Sequence, residues 1–391
     1  MRQVSAPTNP KGTGMGSNPD LSRIPLSSRQ QHVASILRTE IVSGVLPPES
    51  RMSTHLQLVD RFGVSALTVQ HALNDLIRDG FLYSIARKGT YVVPNPPHLN
   101  HYAIAFHTRP SEVTWLQFWQ ALSREAIAMP RQLTAFYGIH GWTPGTDYRK
   151  LIDMVRRHQV AGVIFTSDPH TLIDTPLLTE PGIPRVALTC NAGYEGVTAA
   201  KLGLESLARR VAEAMPTGKR RAALVTTPGF PNEMFSRLLC TVAEGVELEP
   251  EWTLAIRVED AEWARNAAHA LMSAEPSRRP NVVIVTDDNL VPHATAGIAA
   301  SGVRVPDEVE VIASTSFPWP TFSAVRARRI GYDARTILRT CIDIIDAKRA
   351  GREVPNSVTI PAIGEDEPAG SQTSGVPAAA DVLCGAIDDR H

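Results

Sequence analysis

Cysteine is scarce in this chain. Four residues in 391 (Cys190, Cys240, Cys341 and Cys384) lie far apart with no CxxC spacing. That excludes a disulfide framework or a zinc-thiolate cluster and fits a reducing compartment. An excess of charge of one sign is lacking too: 39 Lys and Arg oppose 40 Asp and Glu, for a formal net charge of -1. Any nucleic-acid site must therefore be a local patch and not a global basic field. No apolar run approaches the roughly 20 residues that a membrane span needs. The N-terminus offers Pro, Gly, Ser and Asn where a signal peptide has its apolar core, so a cytoplasmic location with no membrane contact is expected. Signatures of catalysis are missing as well: there is no G-x-S-x-G, no H-E-x-x-H and no G-x-x-x-x-G-K-[ST], and the twelve histidines are dispersed. No catalytic residue, metal ligand or cofactor is assigned, and enzymatic activity is not expected.

What is present is most specific between residues 28 and 93. Val33, Ile36, Leu37 and Ile41 recur at helical spacing and Gly44 ends the first helix. Leu56, Leu58, Val59 and Phe62 are expected to face inward from a second helix with Thr54 at its N-cap, and Gly63 makes a turn. Ser65 caps a third helix whose Val69, Leu73, Leu76 and Ile77 face inward, and Asp79-Gly80-Phe81-Leu82 and Lys88-Gly89-Thr90-Tyr91-Val92 read as a two-stranded wing. This pattern is a winged helix-turn-helix, which lays one helix in the major groove of DNA. Ala66, Leu67, Thr68, Gln70, His71 and Asn74 fall on the exposed side of that helix. Glutamine can pair with adenine in bidentate fashion, and threonine can meet a thymine methyl or a phosphate. Thr54 and Ser65 at the helix starts belong to the same candidate face, as do Arg87, Lys88 and Gly89 at the wing tip, where basic groups suit phosphates or a minor groove. The segment is only mildly basic, with seven Arg and Lys (29, 38, 51, 61, 78, 87, 88) against five Asp and Glu (40, 49, 60, 75, 79).

The remaining chain has a different rhythm. Residues 1–27 are polar and turn-rich and are expected to be disordered; Gly12, Gly14 and Gly16 imitate a nucleotide loop without a preceding strand. Residues 94–101 are expected to be a stiff, extended, proline-rich linker. From 102 to 364, short apolar strands (102–106, 133–137, 162–165, 185–188, 222–226, 281–285, 310–313) alternate with amphipathic helices (115–128, 147–157, 198–215, 234–244, 261–274, 292–301, 333–349). Such alternation predicts parallel sheets covered by helices, here in two lobes, with ligands beyond the carboxyl ends of the strands. Residues 365–391 read as a flexible tail.

Residues 28–93 resemble the winged helix of GntR-family transcription regulators. The matches are Ile41-Val42-Ser43-Gly44, Phe62-Gly63-Val64-Ser65, Thr68-Val69, Ala72-Leu73, Leu76, Gly80-Phe81-Leu82 and Gly89-Thr90-Tyr91-Val92. Where that family usually has arginine, this chain has Leu56, Ala66 and Gln70, and Arg87 replaces the wing glycine. Residues 102–364 resemble the periplasmic-binding-protein-like effector domain of LacI/GalR regulators. The clearest match runs from Pro280 through Asp287-Asp288 to Ser301-Gly302-Val303-Arg304-Val305-Pro306 and the strand to Ile312. Arg237 sits where that family places a ligand-binding arginine, but Cys240 replaces the glycine three residues on, and Ala313-Ser314-Thr315-Ser316 lacks the usual strand-end carboxylate.

The fold class expected is therefore α/β: an N-terminal winged helix-turn-helix joined to a two-lobed periplasmic-binding-protein-like domain with parallel sheets. The resemblance implies a ligand-responsive regulator, a repressor, that binds a palindromic double-stranded DNA operator as a homodimer. Thr108, Arg109, Arg237, Asp287 and Trp319 are the candidate effector contacts, for a small polar ligand such as a sugar. Each has a second reading. Arg109 suits a solvated loop charge, Arg237 a pair with Glu233, Asp287 a helix cap and Trp319 a packing plug between prolines. Two alternatives stay open for the whole chain: a small-molecule-binding module whose winged helix mediates protein association, and an orphan regulator without an effector.

Overall fold

The computed structural model describes residues 29–112, 116–142, 145–189, 194–218 and 220–367. The expected N-terminal segment, the tail beyond 367, Ser28, Trp115, Cys190 and Cys384 lie outside the described residues. Three helices open the chain: α1 (Arg29–Val42), α2 (His55–Phe62) and α3 (Ala66–Arg78). Their buried positions recur at helical spacing, Val33, Ala34, Leu37 and Ile41 from α1 and Val69, Ala72, Leu73 and Leu76 from α3. They close one core with Leu58, Phe81, Leu82 and Val92. Thr54 and Gln57 form a reciprocal capping box at the start of α2. Gly63 ends α2 in the left-handed conformation (φ 60°), where a Cβ is disfavoured, and its N–H donates to the Val59 oxygen. The wing is the antiparallel pair β1 (Leu82–Ile85) and β2 (Gly89–Val92), with Leu82 opposite Val92.

Residues 49–52, which carry no strand pattern, lie along the other edge of this wing. Met52 N–H donates to the Thr90 oxygen at 2.9 Å and Val92 N–H to the Ser50 oxygen at 3.0 Å. The linker differs from the extended form expected. Pro97 occupies the first position of a helical turn, α4 (Pro97–Asn100), which proline favours because its missing N–H has no helical partner there. The His98 ring stacks on Phe81, with centroids 5.9 Å apart. The winged helix also touches the following two-lobed domain through Asp79, the C-cap of α3. Its buried carboxylate receives Arg38 at 2.6 Å and lies 3.9 Å from Arg157.

The two-lobed domain begins with β3 (His101–Phe106), α5 (Gln117–Ala128), β4 (Gln132–Tyr137), α6 (Thr146–Arg156), β5 (Gly162–Phe165), α7 (Pro176–Thr179), β6 (Arg185–Leu188) and β7 (Val197–Leu202). Then come α8 (Leu204–Ala214), β8 (Arg220–Thr226), α9 (Asn232–Val242), β9 (Val246–Ala255), α10 (Glu262–Met272), β10 (Val282–Val285), α11 (Val291–Ala300), β11 (Glu310–Phe317), β12 (Arg328–Asp333), α12 (Ala334–Arg349), β13 (Ser357–Ile360) and β14 (Ile363–Gly364). The first lobe is built on a sheet in the order β13-β7-β6-β5-β3-β4, parallel throughout. The second has the order β14-β12-β11-β10-β8-β9, parallel except for β14. Val282–Val285 are buried on both faces, as a central parallel strand requires.

The chain passes between the lobes three times: from β7 to α8, from β12 to α12, and from β13 to β14. Gly203 sits at the first crossing, its N–H donating to the Ile360 oxygen at 2.8 Å. A Cβ there would fall 2.8 Å from the Ser206 Oγ and 3.1 Å from the Ile360 oxygen, so glycine is needed for close approach.

Two further expectations change. The helix expected over 198–215 begins as strand β7, because pairing with β6 and β13 on either side overrides the weak preference of Ala199 and Ala200. The tail expected from 365 begins tied down: Glu365 N–H donates to the Arg329 oxygen at 3.2 Å, and Glu367 pairs with Arg210.

The packing of β11 on β12 makes a stability prediction. A Cβ on Gly331 would lie 1.8 Å from the Thr315 main-chain oxygen. Gly331→Ala is expected to cost on the order of 3 kcal/mol or more in denaturant unfolding. Gly182→Ala (φ 77°, nothing within 4 Å) should cost only about 1–2 kcal/mol. Equal midpoints for the two variants would contradict this reading.

Candidate DNA interface and interlobe cleft

The start of α3 presents Ser65, Ala66, Leu67, Gln70, His71 and Asn74 exposed, with Thr68 half-buried. Ser65 Oγ accepts the Thr68 N–H at 3.2 Å and lies 2.8 Å from Thr68 Oγ1, so both hydroxyls are engaged in the cap. Gln70 Nε2 donates to Asn74 Oδ1 at 2.9 Å, which orients the two amides on one helix face. Leu56, expected to face inward, is 71% exposed, because a position two residues before the buried Leu58 lies about 200° round the helix; Leu67 is 64% exposed. At the wing tip Arg87 is exposed in the left-handed conformation (φ 62°), and the Lys88 N–H closes the turn onto the Ile85 oxygen at 3.0 Å.

Sequence reasoning missed Arg51. It forms a bridge to Tyr91, and its Nε would be 3.1 Å from a Cβ on Gly89, so it lies along the wing beside Lys88. Its only sequence signal is proximity to Thr54. Arg38, Arg61 and Arg78 are neutralised by Asp79, Glu40 and Asp75. Arg51, Arg87 and Lys88 enter no ion pair among the described residues. The cations left for an outside partner are thus concentrated on the wing.

The second site lies at the carboxyl ends of the two parallel sheets. On the first lobe Thr108 and Arg109 follow β3. The Thr108 Oγ1 is buried with no hydrogen-bond partner. Arg109 is half-exposed, 3.7 Å from Glu112, and shares an open hollow with Tyr137, Thr146 and Asp147. Three of the dispersed histidines meet here. His107, His140 and Trp142 have ring centroids 5.4–5.7 Å apart, and His170 stands edge-on to Trp142 at 6.4 Å. Each of these histidines follows a different strand (β3, β4, β5) by one to five residues, a signal that the sequence holds and that motif searches pass over. Burial, then the neighbouring His140 and His170, holds the His107 pKa down. Asp168 organises the adjoining loop, accepting from Thr189 Oγ1 at 2.9 Å, the His170 N–H at 3.0 Å and the Tyr194 hydroxyl.

On the second lobe Thr286 Oγ1 donates to Thr226 Oγ1 and that hydroxyl to Asn232 Oδ1, both at 2.8 Å. Asp287 Oδ1 accepts the Asn289 N–H at 2.9 Å and its Nδ2 at 2.7 Å, shaping the turn after β10. Its neighbour Asp288 is buried and accepts Ser316 Oγ at 2.7 Å. Burial, then the Asp287 charge, pushes the Asp288 carboxyl up to about 7. Arg237 is exposed on α9, and its main-chain oxygen accepts the Thr241 hydroxyl at 2.8 Å.

Hydrogen bonds join the lobes across the cleft. Gln117 N–H donates to Asn289 Oδ1 at 3.0 Å. Trp319 Nε1 donates to Glu125 Oε1 at 3.1 Å while Arg335 Nε holds Glu125 Oε2 at 3.0 Å and the Arg124 guanidinium lies 5.0 Å over the indole. Among the described residues no hydrogen bond or ion pair joins any two of Thr108, Arg109, Arg237, Asp287 and Trp319. Nor does any group of three or more His, Cys, Asp or Glu there have the geometry to hold a metal ion.

These features define a class: a winged helix-turn-helix ahead of a two-lobed receptor of periplasmic-binding-protein type. Residues 29–92 match the model of bacterial regulatory proteins of the gntR family, and residues 198–366 match that of the periplasmic binding protein-like domain. The chain therefore carries a GntR helix-turn-helix region followed by a periplasmic-binding-protein-like domain. It is 36% identical over 56 residues to the HTH-type transcriptional repressor NagR of Bacillus subtilis, covering 14% of this chain and 23% of that protein. It is 32% identical over 92 residues to the histidine utilization repressor of Pseudomonas aeruginosa, covering 24% and 34%. The chain thus spans about a quarter to a third of the length of these curated relatives. Its fold is shared with a regulatory protein of LacI family from Chloroflexus aggregans (TM-score 0.52, 19% identity, 68% of this chain and 96% of that one). A putative transcriptional regulator LacI from Bacillus cereus subsp. cytotoxis is similar (TM-score 0.51, 15% identity, with the same coverage).

Asp288 gives this site a pH signature. A carboxyl whose folded pKa is raised binds more protons in the native state, so stability is greatest below the unfolded pKa near 4 and falls as pH rises toward about 7. Asp288→Asn is expected to flatten that decline and to be relatively more stable than the parent at pH 8 than at pH 5, measured by urea unfolding. Parallel pH profiles for the two proteins would contradict the assignment.

Proposed function

We propose that this protein is a ligand-responsive transcriptional repressor that acts in the cytoplasm as a homodimer on a palindromic double-stranded DNA operator. The observation that carries the reading is the exposed start of α3 beside a wing whose cations lack internal partners. In this reading Ala66, Leu67, Thr68, Gln70 and His71 meet base edges, and Gln70, already aligned by Asn74, is the main base reader. Thr54, Ser65, Arg87, Lys88 and Gly89, with Arg51 added, position the phosphate backbone. The relatives named as repressors support the sign of regulation.

The effector is a small polar molecule, sugar-like in its demand for hydroxyl recognition. It binds in the cleft among Thr108, Arg109, Asp287 and Arg237, against the aromatic wall of His107, His140 and Trp142. Trp319 acts from the rim, through Glu125. Binding across the cleft favours one relative setting of the lobes, and the ligand changes operator affinity only through its differential affinity for the two settings. The exposed Leu56 and Leu67 favour a second reading, in which this face docks on protein. The same experiment separates the two.

Purified protein selected against random duplex DNA is expected to enrich a palindrome. Lys88→Ala should weaken binding to all sequences and lower the salt slope by about one. Gln70→Ala should cost roughly 1–3 kcal/mol at one base position and relax its preference. Failure of folded protein to enrich any sequence at low salt would replace DNA reading with protein association.

A further inference from the structure

At the opposite end of the first lobe from the cleft, an open recess of about 990 Å³, mouth included, lies where the winged helix meets the receptor. Its wall combines Val42 at the end of α1, His98 of the linker, His158, the loops before β5 and β6, Gly196, and Lys348 and Arg349 at the end of α12. No carboxylate lines it. Three cations do, and they differ in how far their donors are used. Arg185 is spent on the main-chain oxygens of Leu177, Ile183 and Glu180. Lys348 donates once, to the Gly196 oxygen at 3.1 Å, leaving two N–H groups. Arg349 makes no hydrogen bond among the described residues.

Two acids act on the recess from outside it, Glu180 on Arg185 and His158 and Asp346 on Arg349, without forming an ion pair with any of them among the described residues. Glu180 lies 3.9 Å from Arg156, and Asp346 holds the Tyr102 hydroxyl at 2.5 Å and Arg131 at 3.6 Å. The α12 carboxyl end contributes about half a negative charge, too little to offset three cations. Burial, then Arg185, lowers the Lys348 pKa, and burial lowers that of Arg349 against the opposing pull of Tyr102 and Asp346. His98 supplies an independent sign. It is 7% exposed, lines the recess, and its Nδ1 is buried without a partner. Burial, then the Arg349 and His158 charges, holds its pKa near 4, so at neutral pH the ring is uncharged and offers one donor.

We propose that this recess is a binding site, distinct from the cleft, for a small solute bearing phosphate or carboxylate groups. Lys348 and Arg349 grip the oxyanion and His98 Nδ1 donates to it. The site does not depend on the reading of the winged helix. Because its wall includes α1, the linker and the first lobe, an occupant joins the two domains.

The probe is inorganic phosphate, titrated into the full chain at constant ionic strength against chloride, and read by calorimetry and thermal unfolding. The parent is expected to bind saturably with a rise in Tm. Arg349→Gln should weaken binding about tenfold or more, the loss of a charge-assisted hydrogen bond. Lys348→Glu, which puts a carboxylate into the recess, should abolish it, and Lys88→Ala on the wing should leave it intact. Should Arg349→Gln fail to fold, Lys348→Glu carries the comparison. No saturable binding, or binding lost in Lys88→Ala and kept in Lys348→Glu, would overturn the proposal.

Discussion

The triple crossing between the lobes is the constraint on which the receptor depends. At Gly203 the main chain of the first crossing lies against that of the third, and Ser206 locks both, donating to the Gly203 oxygen and accepting the Ala362 N–H. The Tyr332 hydroxyl adds a bond to the same Gly203 oxygen from the strand that precedes the second crossing. With three strands of chain bonded to one another at one level, the lobes are held at a common axis. Every contact across the cleft, from Gln117–Asn289 to Trp319–Glu125, acts at the end of a lever pivoting there.

The two faces of the cleft have different chemistry. The first lobe offers imidazole and indole rings, and the second a chain of hydroxyls and one buried acid. A ligand bonded to both experiences apolar contact on one side and directed hydrogen bonds on the other, a combination that fixes orientation as well as affinity. The Glu125 carboxylate stands outside that exchange. Buried and bonded to Trp319 and Arg335 together, it costs too much to leave with only one partner, so it ties the loop after β11 to the start of α12.

The sequence made the winged helix legible nearly to the residue, because helical spacing, capping residues and turn glycines all agreed locally. The parallel sheets were legible where strands are buried on both faces, as at Val282–Val285. The edge strand β4 was legible too, but β9 and β12 were not. β9 reads Glu247-Leu248-Glu249-Pro250-Glu251 and carries no apolar run, and β12 opens on Arg328-Arg329, so their pairing is set by neighbours far away in the chain. In the cleft, strand-end positions such as Thr108 and Asp287 could be named from order alone. The meeting of His107, His140, Trp142 and His170 could not, since it depends on which strands lie side by side. Arg51 was hidden for the same reason, its partner on the wing being forty residues on.

Asp79 gives the junction between the domains its character. Its carboxylate is committed to Arg38 within the winged helix, and Arg157 of the receptor reaches it only at 3.9 Å from a half-exposed position. Such a pair contributes at most about 1 kcal/mol, so thermal motion alone suffices to part it. The pair therefore adds little to the docking, which rests more on the His98–Phe81 stack and the shared wall of Val42, His98 and the first lobe.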